Sequence, residues 1–292
     1  MYPLEGGGTR KMKKQSTGFI LISPLLLGYL IFYAIPFIQV IRFSFMRGSG
    51  HNTQFVGMEN YERVFISEPF QRAFGNTLLF LAVGLPLILV LSYLIALLMK
   101  NHAQRHKLLK SVFLFPYIMP VVGTVLLVDL LFSEAGFLNQ FLEAIRLPAE
   151  SWLSGPTAFW VLILLYLWKN TGYAVILLLA GLVTIPEDQY ESAELDGATA
   201  WQKFRFITTP QMWYSVFFAT IFSMINAFKC FREIFLIGGE HPGENLYMLQ
   251  HFLNNSFGNL NYAKLSVAST LLLVVILLFC TSFYAFVKQK EV

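Results

Sequence analysis

Several ionisable, amide and aromatic side chains lie inside otherwise apolar stretches of this sequence. The basic and amide residues, with their aromatic neighbours, are Trp168, Lys169, Asn170, Tyr173, Asn226 and Lys229. Asp129 and Glu233 are acidic residues in similar surroundings. A charge in an apolar membrane segment is costly and is by default a functional candidate. These side chains therefore either bind a polar solute or pair with one another.

The two explanations predict different contacts. If the charges only stabilise the fold, Asp129 should pair with Lys169 or Lys229. Glu233 should likewise pair with Lys229, which lies one helical turn away. If the polar residues serve a solute, the two asparagines and their aromatic neighbours should face a pathway, because amides bind hydroxyls and aromatic rings stack on apolar ligand faces.

The sequence lacks the residue patterns of an intramembrane enzyme. His102 and His106 have the spacing of a His-Glu-x-x-His metalloprotease motif, but the glutamate is missing. An aspartyl intramembrane protease needs two buried aspartates, and only Asp129 is available. Cys230 and Cys280 lie in apolar segments and suit buried hydrophobic positions better than a disulfide or a metal site. The sequence also has no glycine-rich phosphate loop, so an ATPase would have to be a separate chain. Together these missing patterns lead us to expect no catalytic residues, no metal and no cofactor in this chain.

The composition indicates a membrane protein. Of the 292 residues, 56% are hydrophobic and 13% are charged, and a soluble domain carries roughly twice that charged fraction. The mean hydropathy is +0.58. The net charge of +4 comes from basic residues in short loops beside apolar segments, which does not favour nucleic-acid binding. We expect an all-α, polytopic membrane helix bundle that forms one domain.

Six apolar runs are long enough to cross a bilayer as helices. They cover about residues 19–45, 76–99, 111–132, 157–185, 211–237 and 262–287. The first run is too long for a signal-peptide core and lacks a small-residue cleavage site, so we expect a retained helix. We expect residues 1–18 to form an N-terminal tail, with Met12 as an alternative start, and residues 19–292 to form the membrane domain. A short helix is expected near residues 68–74.

The positions of lysine and arginine predict the orientation. Six spans place both termini on one side, and basic residues concentrate in short cytoplasmic loops. With the termini inside, the inner segments hold Arg10, Lys11, Lys13, Lys14, Lys100, Arg105, Lys107, Lys110, Lys203, Arg205, Lys288 and Lys290. The outer loops hold Arg47, Arg63, Arg72 and Arg146, with Arg42 at a boundary. Both termini and the loop at residues 186–210 are therefore predicted to be cytoplasmic.

The loop at residues 186–210 is the longest polar stretch between two apolar runs. Pro186 suits the first position of a helix, and Gly197 can supply a turn after it. Beyond this turn, the apolar residues that recur at every third position are Ala198, Trp201, Phe204 and Ile207. They predict a second short helix with one apolar face, which Pro210 should end. The loop is either an amphipathic turn packed under the bundle or a docking surface for another protein.

The same loop resembles the EAA signature of ABC importer permeases. That signature reads Glu-Ala-Ala, three residues, Gly, nine residues and Ile-x-Leu-Pro. The residues that fall on its positions are Glu191, Ser192, Ala193, Gly197, Ile207, Thr209 and Pro210. The spacing matches fully. Ser192 and Thr209 depart from the alanine and the leucine of the signature, and neither change breaks the turn.

The resemblance extends over nearly the whole chain. Residues 55–61, Phe-Val-Gly-Met-Glu-Asn-Tyr, resemble the FxGxxNY segment in the first outer loop of carbohydrate-type permeases. Further similar segments are residues 75–77, 115–117, 180–182, 185–186, 226–231 and 238–239. On these segments the chain is identified as a member of the MalF/UgpA-like group of binding-protein-dependent sugar permeases.

The resemblance implies a non-enzymatic membrane subunit of an ATP-driven importer. Such a permease forms a bundle with a second permease subunit, and two ATP-binding subunits dock on the EAA loops from the cytoplasm. ATP and Mg²⁺ are then bound by the partner ATPase, and an extracytoplasmic solute-binding protein delivers the solute. The residues implied to couple this chain to the ATPase are Glu191, Ser192, Ala193, Asp196, Gly197, Ala198, Ile207 and Pro210.

The resemblance further implies that the solute is a sugar or oligosaccharide, carried across the cell membrane among its lipids. The intramembrane residues expected along its pathway are Trp168, Lys169, Asn170, Tyr173, Asn226 and Lys229. The outer loops, about residues 46–75, 133–156 and 238–261, either dock the binding protein or merely cap the bundle. The alternative function is an ion-coupled secondary transporter that uses Asp129 or Glu233, and the docking loop argues against it.

Overall fold

The chain folds into a bundle of membrane helices. The computed structural model describes residues 21–48, 53–100 and 107–289. In this part of the chain, six helical segments are long and apolar enough to cross a membrane, namely Leu21–Ser44, Glu68–Lys100, Val121–Ala144, Thr157–Val183, Ala200–Gly238 and Tyr262–Gln289. The prediction of an all-α bundle with about six spans is confirmed. The expected N-terminal tail, residues 1–18, lies outside the described residues.

The helices are numbered in chain order. They are α1 (Leu21–Ser44), α2 (Glu59–Phe65), α3 (Glu68–Lys100), α4 (Lys107–Ile118), α5 (Val121–Phe132), α6 (Phe137–Ala144), α7 (Thr157–Val183), α8 (Glu187–Leu195), α9 (Ala200–Lys203), α10 (Thr209–Lys229), α11 (Phe231–Gly238), α12 (Leu249–Gly258) and α13 (Tyr262–Gln289). Two antiparallel strands, β1 (Met46–Arg47) and β2 (Gln54–Phe55), follow α1. Two π-helical turns occur, Leu30–Ala34 within α1 and Phe204–Thr208 between α9 and α10. A 3₁₀ turn, Glu244–Leu246, precedes α12.

Helix α7 lies at the centre of the bundle and packs against α3, α4 and α10. Of its most apolar stretch, 61% is buried, compared with 0% for α1 and 6% for α13. The buried Tyr166 ring of α7 meets the Phe80 ring of α3 at 5.3 Å. Its hydroxyl donates a hydrogen bond of 2.8 Å to the carbonyl oxygen of Ser223 on α10. Tyr166 therefore joins three spans through both its apolar ring and its polar end.

Two glycines of α7 set how closely its neighbours approach. A Cβ atom added to Gly172 would lie 1.7 Å from the carbonyl oxygen of Phe113 on α4. A Cβ atom added to Gly181 would lie 2.0 Å from Ser215 Oγ on α10. Small residues at such crossings let helix backbones come together in a membrane, where close packing replaces the hydrophobic drive. The lack of a side chain at these two positions therefore permits the central packing.

The short helix predicted near residues 68–74 is not a separate element. Helix α3 begins there and runs without a break through the second span. The prediction was wrong because Asn76 was taken to mark the start of the span. In the structure, Asn76 Nδ2 instead donates hydrogen bonds to the carbonyl oxygens of Glu244, at 2.7 Å, and Tyr247, at 3.1 Å. Its polar side chain is satisfied by the outer loop, so the helix continues past it.

The third predicted span is broken into α4 and α5. Pro120 stands at the N-cap of α5 with an extended ψ of 145°. A proline has no amide hydrogen and disfavours the helical conformation of the residue before it, which here is Met119. The apolar run that we predicted as one span, residues 111–132, therefore falls on two helices, of which α5 belongs to the segment Val121–Ala144.

The Gly172→Ala substitution should destabilise the bundle. The added methyl group meets the α4 backbone, which cannot rotate away as a side chain can, and overpacking of this kind costs about 1–3 kcal/mol or more. Gly75→Ala in α3 is the matched control, since nothing lies within 4 Å of a Cβ atom there. Thermal unfolding of the detergent-solubilised protein measures the difference. Equal melting temperatures for the two variants would contradict this account of the packing.

Candidate functional site

The first arm of the loop at residues 186–210 is α8. Pro186 is its N-cap, with ψ of 136°, and lies just before the helix rather than at its first position as predicted. At the other end, Gly197 has a positive φ of 79°. Its amide donates to the carbonyl oxygen of Glu194 at 3.0 Å, and the Ala198 amide donates to that of Ala193 at 2.8 Å. Gly197 therefore ends α8 in the left-handed conformation that glycine adopts most readily.

The second arm begins at Thr199 and does not end at Pro210. Thr199 and Gln202 form a reciprocal capping box at the start of α9. The helix then continues through the π-helical turn into α10, so the prediction that Pro210 closes it was wrong. Pro210 has no amide hydrogen, so the π-helical turn before it leaves backbone carbonyl groups without their usual amide donor. The carbonyl oxygen of Phe204 instead accepts a hydrogen bond of 2.9 Å from Thr209 Oγ1. The loop is thus continuous with the fifth span.

Three contacts fix this loop to the membrane helices. Lys100 Nζ, at the end of α3, lies 3.7 Å from the centre of the Tyr190 ring on α8. The hydroxyl of Tyr190 shares a hydrogen bond of 2.9 Å with Thr208 Oγ1, just before α10. The Phe204 ring meets the Tyr93 ring of α3 at 6.0 Å. A force on α8 is therefore transmitted to both α3 and α10.

The opposite side of the loop is exposed. Leu195 is 91% exposed, Phe206 69% and Trp201 64%. We predicted that Trp201 would share a packed face with Phe204 and Ile207, and only the latter two are partly buried. We call this exposed side of residues 191–210 the coupling surface, because it holds the residues that the EAA resemblance implicates.

The predicted coupling residues lie close together on this surface. A depression of about 300 Å³ is lined, among others, by Ala193, Asp196, Gly197, Ala198, Phe206 and Ile207. Glu191 and Ser192 are exposed on the first arm of the loop, and Pro210 is exposed at the start of α10. The coupling surface thus offers a shallow recess with apolar side chains at its rim, which is a shape and chemistry suited to another protein.

Inside the membrane, Lys169 on α7 forms an ion pair with Glu233 on α11. Their side chains are 13% and 4% exposed, respectively. The predicted pairs of Glu233 with Lys229, and of Asp129 with either lysine, were wrong. Glu233 is buried beside Lys169, after a turn at Cys230 that separates α10 from α11, and Lys229 does not reach it. Lys229 and Asp129 are exposed instead.

The two asparagines of the predicted pathway lie in the interior of this chain. Asn170 is buried and its Nδ2 donates to the carbonyl oxygen of Tyr166, within the same helix, at 2.9 Å. Asn226 is buried on α10. By contrast, Trp168 and Lys229 are exposed, and Tyr173 is partly buried. The structure therefore separates the predicted pathway residues into a buried amide group and a set that reaches the surface.

An aromatic cluster that sequence reasoning missed adjoins Tyr173. The Tyr117 ring of α4 stacks on the Tyr173 ring of α7, with centroids 4.7 Å apart and an angle of 11° between the planes. The Phe222 ring of α10 meets Tyr173 edge-on at 5.9 Å. Phe222 belongs to an exposed face of α10 that also holds Phe218, Ile225 and Lys229. We call this set the α10 face; its spacing of four, three and four residues is a helical signal that could have revealed it.

The segment between α1 and α3 is folded where we predicted a loop, apart from the short helix near residues 68–74. Asn60 of α2 donates two hydrogen bonds, to the carbonyl oxygens of Ser44 at 3.0 Å and Met46 at 2.8 Å, and so holds the β1–β2 hairpin. Glu59 binds both Arg47 and Arg63. The hydrogen bond from Arg47 is the main cause that lowers the pKa of Glu59. This segment is thus a folded surface rather than a mobile connection.

A second folded surface is formed by α12 and the residues before it. Arg72 binds Glu68 and Glu244, at 2.9 and 2.8 Å. Burial lowers the pKa of His251 to about 4, so this imidazole is neutral near pH 7.

Among residues 21–48, 53–100 and 107–289, no group of three His, Cys, Asp or Glu side chains is arranged to hold a metal ion.

Comparison with known proteins identifies the class of this chain. Residues 72–290 match the family of binding-protein-dependent transport system inner membrane components. Since the match covers most of the chain, the protein belongs to this family. It is therefore a membrane permease subunit, as the EAA resemblance indicated, and not the ATPase of such a system.

Similar proteins come from several prokaryotes. The chain is 29% identical over 273 residues to a trehalose/maltose transport system permease of Thermococcus litoralis, with 92% of each protein covered. It is 28% identical over 285 residues to a lactose transport system permease of Rhizobium radiobacter, covering 94% of this chain and 95% of that protein. A diacetylchitobiose uptake system permease of Streptomyces coelicolor is 27% identical over 301 residues, with 98% and 92% covered.

The fold matches solved transporter structures. A chain in the crystal structure of a bacterial ABC transporter involved in the import of the acidic polysaccharide alginate superimposes with a TM-score of 0.80. The sequence identity is 22%, with 96% of this chain and 98% of that chain covered. At this identity the similarity establishes the fold of the membrane subunit.

The buried ion pair predicts non-additive effects of substitution. Lys169→Met should cost about 3–5 kcal/mol of stability, because it leaves the Glu233 carboxylate buried without its counter-charge. The double variant Lys169→Met/Glu233→Leu should be more stable than Lys169→Met alone, since no charge is stranded. Lys203→Met removes an exposed ion pair with Glu194 and is the control. Thermal unfolding of these variants and of Glu233→Leu alone tests this, and a cost of the double variant equal to the sum of the two single costs would refute it.

Proposed function

We propose that this permease subunit imports a sugar or oligosaccharide, delivered by an extracytoplasmic solute-binding protein and driven by two ATP-binding subunits in the cytoplasm. Membership of the binding-protein-dependent family is the observation that carries the proposal. The named systems of its relatives transport trehalose and maltose, lactose, or diacetylchitobiose, which supports a saccharide as the solute. A second, related permease subunit completes the bundle.

The coupling surface is the proposed docking site of one ATP-binding subunit. Its exposed rim residues, Leu195 and Phe206, are large apolar side chains that a partner would remove from water. The recess beside Gly197 admits a side chain of the ATPase, and Asp196 and Glu191 supply charge at its edge. Small residues at the centre and apolar residues at the rim favour a docked, closely packed partner.

Coupling follows from the way this loop is attached. Because the second arm continues into α10, a displacement of the coupling surface moves the fifth span with it. The contacts of Tyr190 with Lys100 and Thr208 keep α8 aligned with α3 and α10. ATP-driven closure of the two ATPase subunits would thereby shift the membrane helices between inward-facing and outward-facing arrangements.

The solute pathway is proposed along the α10 face and the adjoining Tyr117–Tyr173 pair. Exposed aromatic rings inside a membrane bundle offer flat apolar surfaces on which sugar rings can stack. In this proposal four of the residues expected along the pathway lie behind or beside it, namely Trp168, Lys169, Asn170 and Asn226.

The proposed orientation of the chain follows from its lysine and arginine residues. Both termini and the coupling surface lie in the cytoplasm, because basic residues concentrate in short cytoplasmic loops.

Leu195→Ser should weaken assembly with the ATP-binding subunits. Burying a leucine side chain at an interface contributes about 1.5–3 kcal/mol, so its removal should lower ATPase affinity roughly tenfold or more. Ile66→Ser, which removes an apolar side chain with 78% exposure far from the coupling surface in sequence, is the control for co-purification. Co-purification and ATP-driven uptake are measured together. Uptake that survives ATP depletion but needs an ion gradient would overturn the proposed energy source.

Tyr173→Ala and Phe222→Ala should lower saccharide uptake several-fold while leaving ATP hydrolysis stimulated by the binding protein largely intact. Both rings contribute apolar stacking surface to the proposed pathway, and stacking of aromatic rings contributes about 0.5–1.5 kcal/mol per pair. Leu164→Ala, an exposed apolar position elsewhere on α7, is the control. Normal uptake by both ring variants would place the pathway elsewhere.

A further inference from the structure

Two basic residues on the fifth span have no acidic partner in the described part of the chain. Lys229 and Arg232 are both exposed and lie about one helical turn apart. Glu233, the nearest acid in sequence, is paired with Lys169. Asp129 is exposed on α5, a helix that packs against α11, but neither basic residue forms an ion pair within 4.0 Å among residues 21–48, 53–100 and 107–289.

The depth of these residues follows from their neighbours. Lys169 lies at the middle of the 27-residue helix α7, and its partner Glu233 lies on the fifth span, Ala200–Gly238, five residues before the end of that span. Lys229 precedes Glu233 by four residues, so it lies nine residues, about 14 Å along a helix, from the same end. Lys229 therefore belongs to the membrane-spanning segment and not to the loop that follows it.

The surface to which Lys229 belongs is the α10 face. A charged side chain at this depth is costly in lipid, and such residues nearly always face the interior of a bundle or a water-filled cavity. Phe222 lies two helical turns from Lys229 on the same face and contacts the Tyr117–Tyr173 pair through Tyr173. Lys229 thus shares one exposed face with aromatic rings, and the exposed Arg232 follows it by three residues. By this rule we place the α10 face toward the interior of the complete bundle and away from lipid.

We propose that Lys229 and Arg232 bind an acidic group of the transported solute, a uronic acid carboxylate or a sugar phosphate, while its sugar ring packs on the neighbouring aromatic cluster. The proposal rests on the saccharide-import function proposed above and narrows the solute to an acidic saccharide. Charge-assisted hydrogen bonds to a carboxylate or phosphate are stronger than neutral ones, and a guanidinium can hold such a group through two donors. The solute thereby supplies the counter-charge that the chain lacks.

The test uses the complete importer in detergent and a matched pair of disaccharides. α-1,4-Digalacturonate and α-1,4-galactobiose have the same linkage and length and differ in the carboxylates. Calorimetric titration should show digalacturonate binding about tenfold more tightly or better, as expected for a charge-assisted contact. The preference should vanish in Lys229→Gln/Arg232→Gln and persist in Lys229→Arg. Lys264→Gln, which removes an exposed cation at the outer end of α13, is the matched control and should keep it.

Equal affinity of the wild type for the two disaccharides would overturn the proposal, as would a preference that survives in the double glutamine variant. The wild type could fail to bind digalacturonate while the double glutamine variant loses the second permease subunit. That result would overturn the proposal and show that Lys229 and Arg232 pair with a carboxylate of the partner subunit. Tighter binding of galactobiose would refute the acidic solute and leave saccharide import intact. Failure of ATP-driven uptake, measured separately, would refute the import function itself.

Discussion

The close packing of α7 against α3, α4 and α10 is the constraint on which the rest of the structure depends. Lipid offers no hydrogen bonds and little hydrophobic drive for helix association, so spans must be held by tight contact and by satisfied polar groups. Gly172 supplies the close approach. Tyr166 supplies a hydrogen bond to α10 and a ring contact with α3, and the Lys169–Glu233 pair adds a charged link to α11.

Both functional surfaces are built outward from this centre. Beyond Val183, α7 leads through Pro186 into α8, and Tyr190 ties α8 back to α3 and to the residue before α10. Farther along the fifth span, α10 carries exposed aromatic and basic residues. One continuous helical segment thus connects the coupling surface with the α10 face, which gives a physical route from the proposed ATPase movement to the proposed pathway.

Sequence reasoning located membrane spans, and predicted a coupling loop, because the signals of both are local. Long apolar runs identify membrane helices by length alone, and the spacing from Glu191 to Pro210 is independent of the tertiary fold. The partner of Glu233 could not be read from spacing, because Lys169 is 64 residues away on another helix. The pairing of Tyr117 with Tyr173 depends on the approach of α4 at Gly172, which no local pattern encodes. Asn60 was identified as part of a motif, yet its role in holding the hairpin required the folded chain.

Disulfide crosslinking between the coupling surface and the ATP-binding subunit tests the central claim most directly. Cysteines would replace Ala193 or Gly197 in the recess, in a background with Cys280→Ser, and would be paired with cysteines on the surface of the ATPase. The account predicts crosslinks whose yield changes with nucleotide, while a cysteine at Ile66 on the outer end gives none. Crosslinks absent in every nucleotide state would contradict the assignment of this loop as the site where transport is powered.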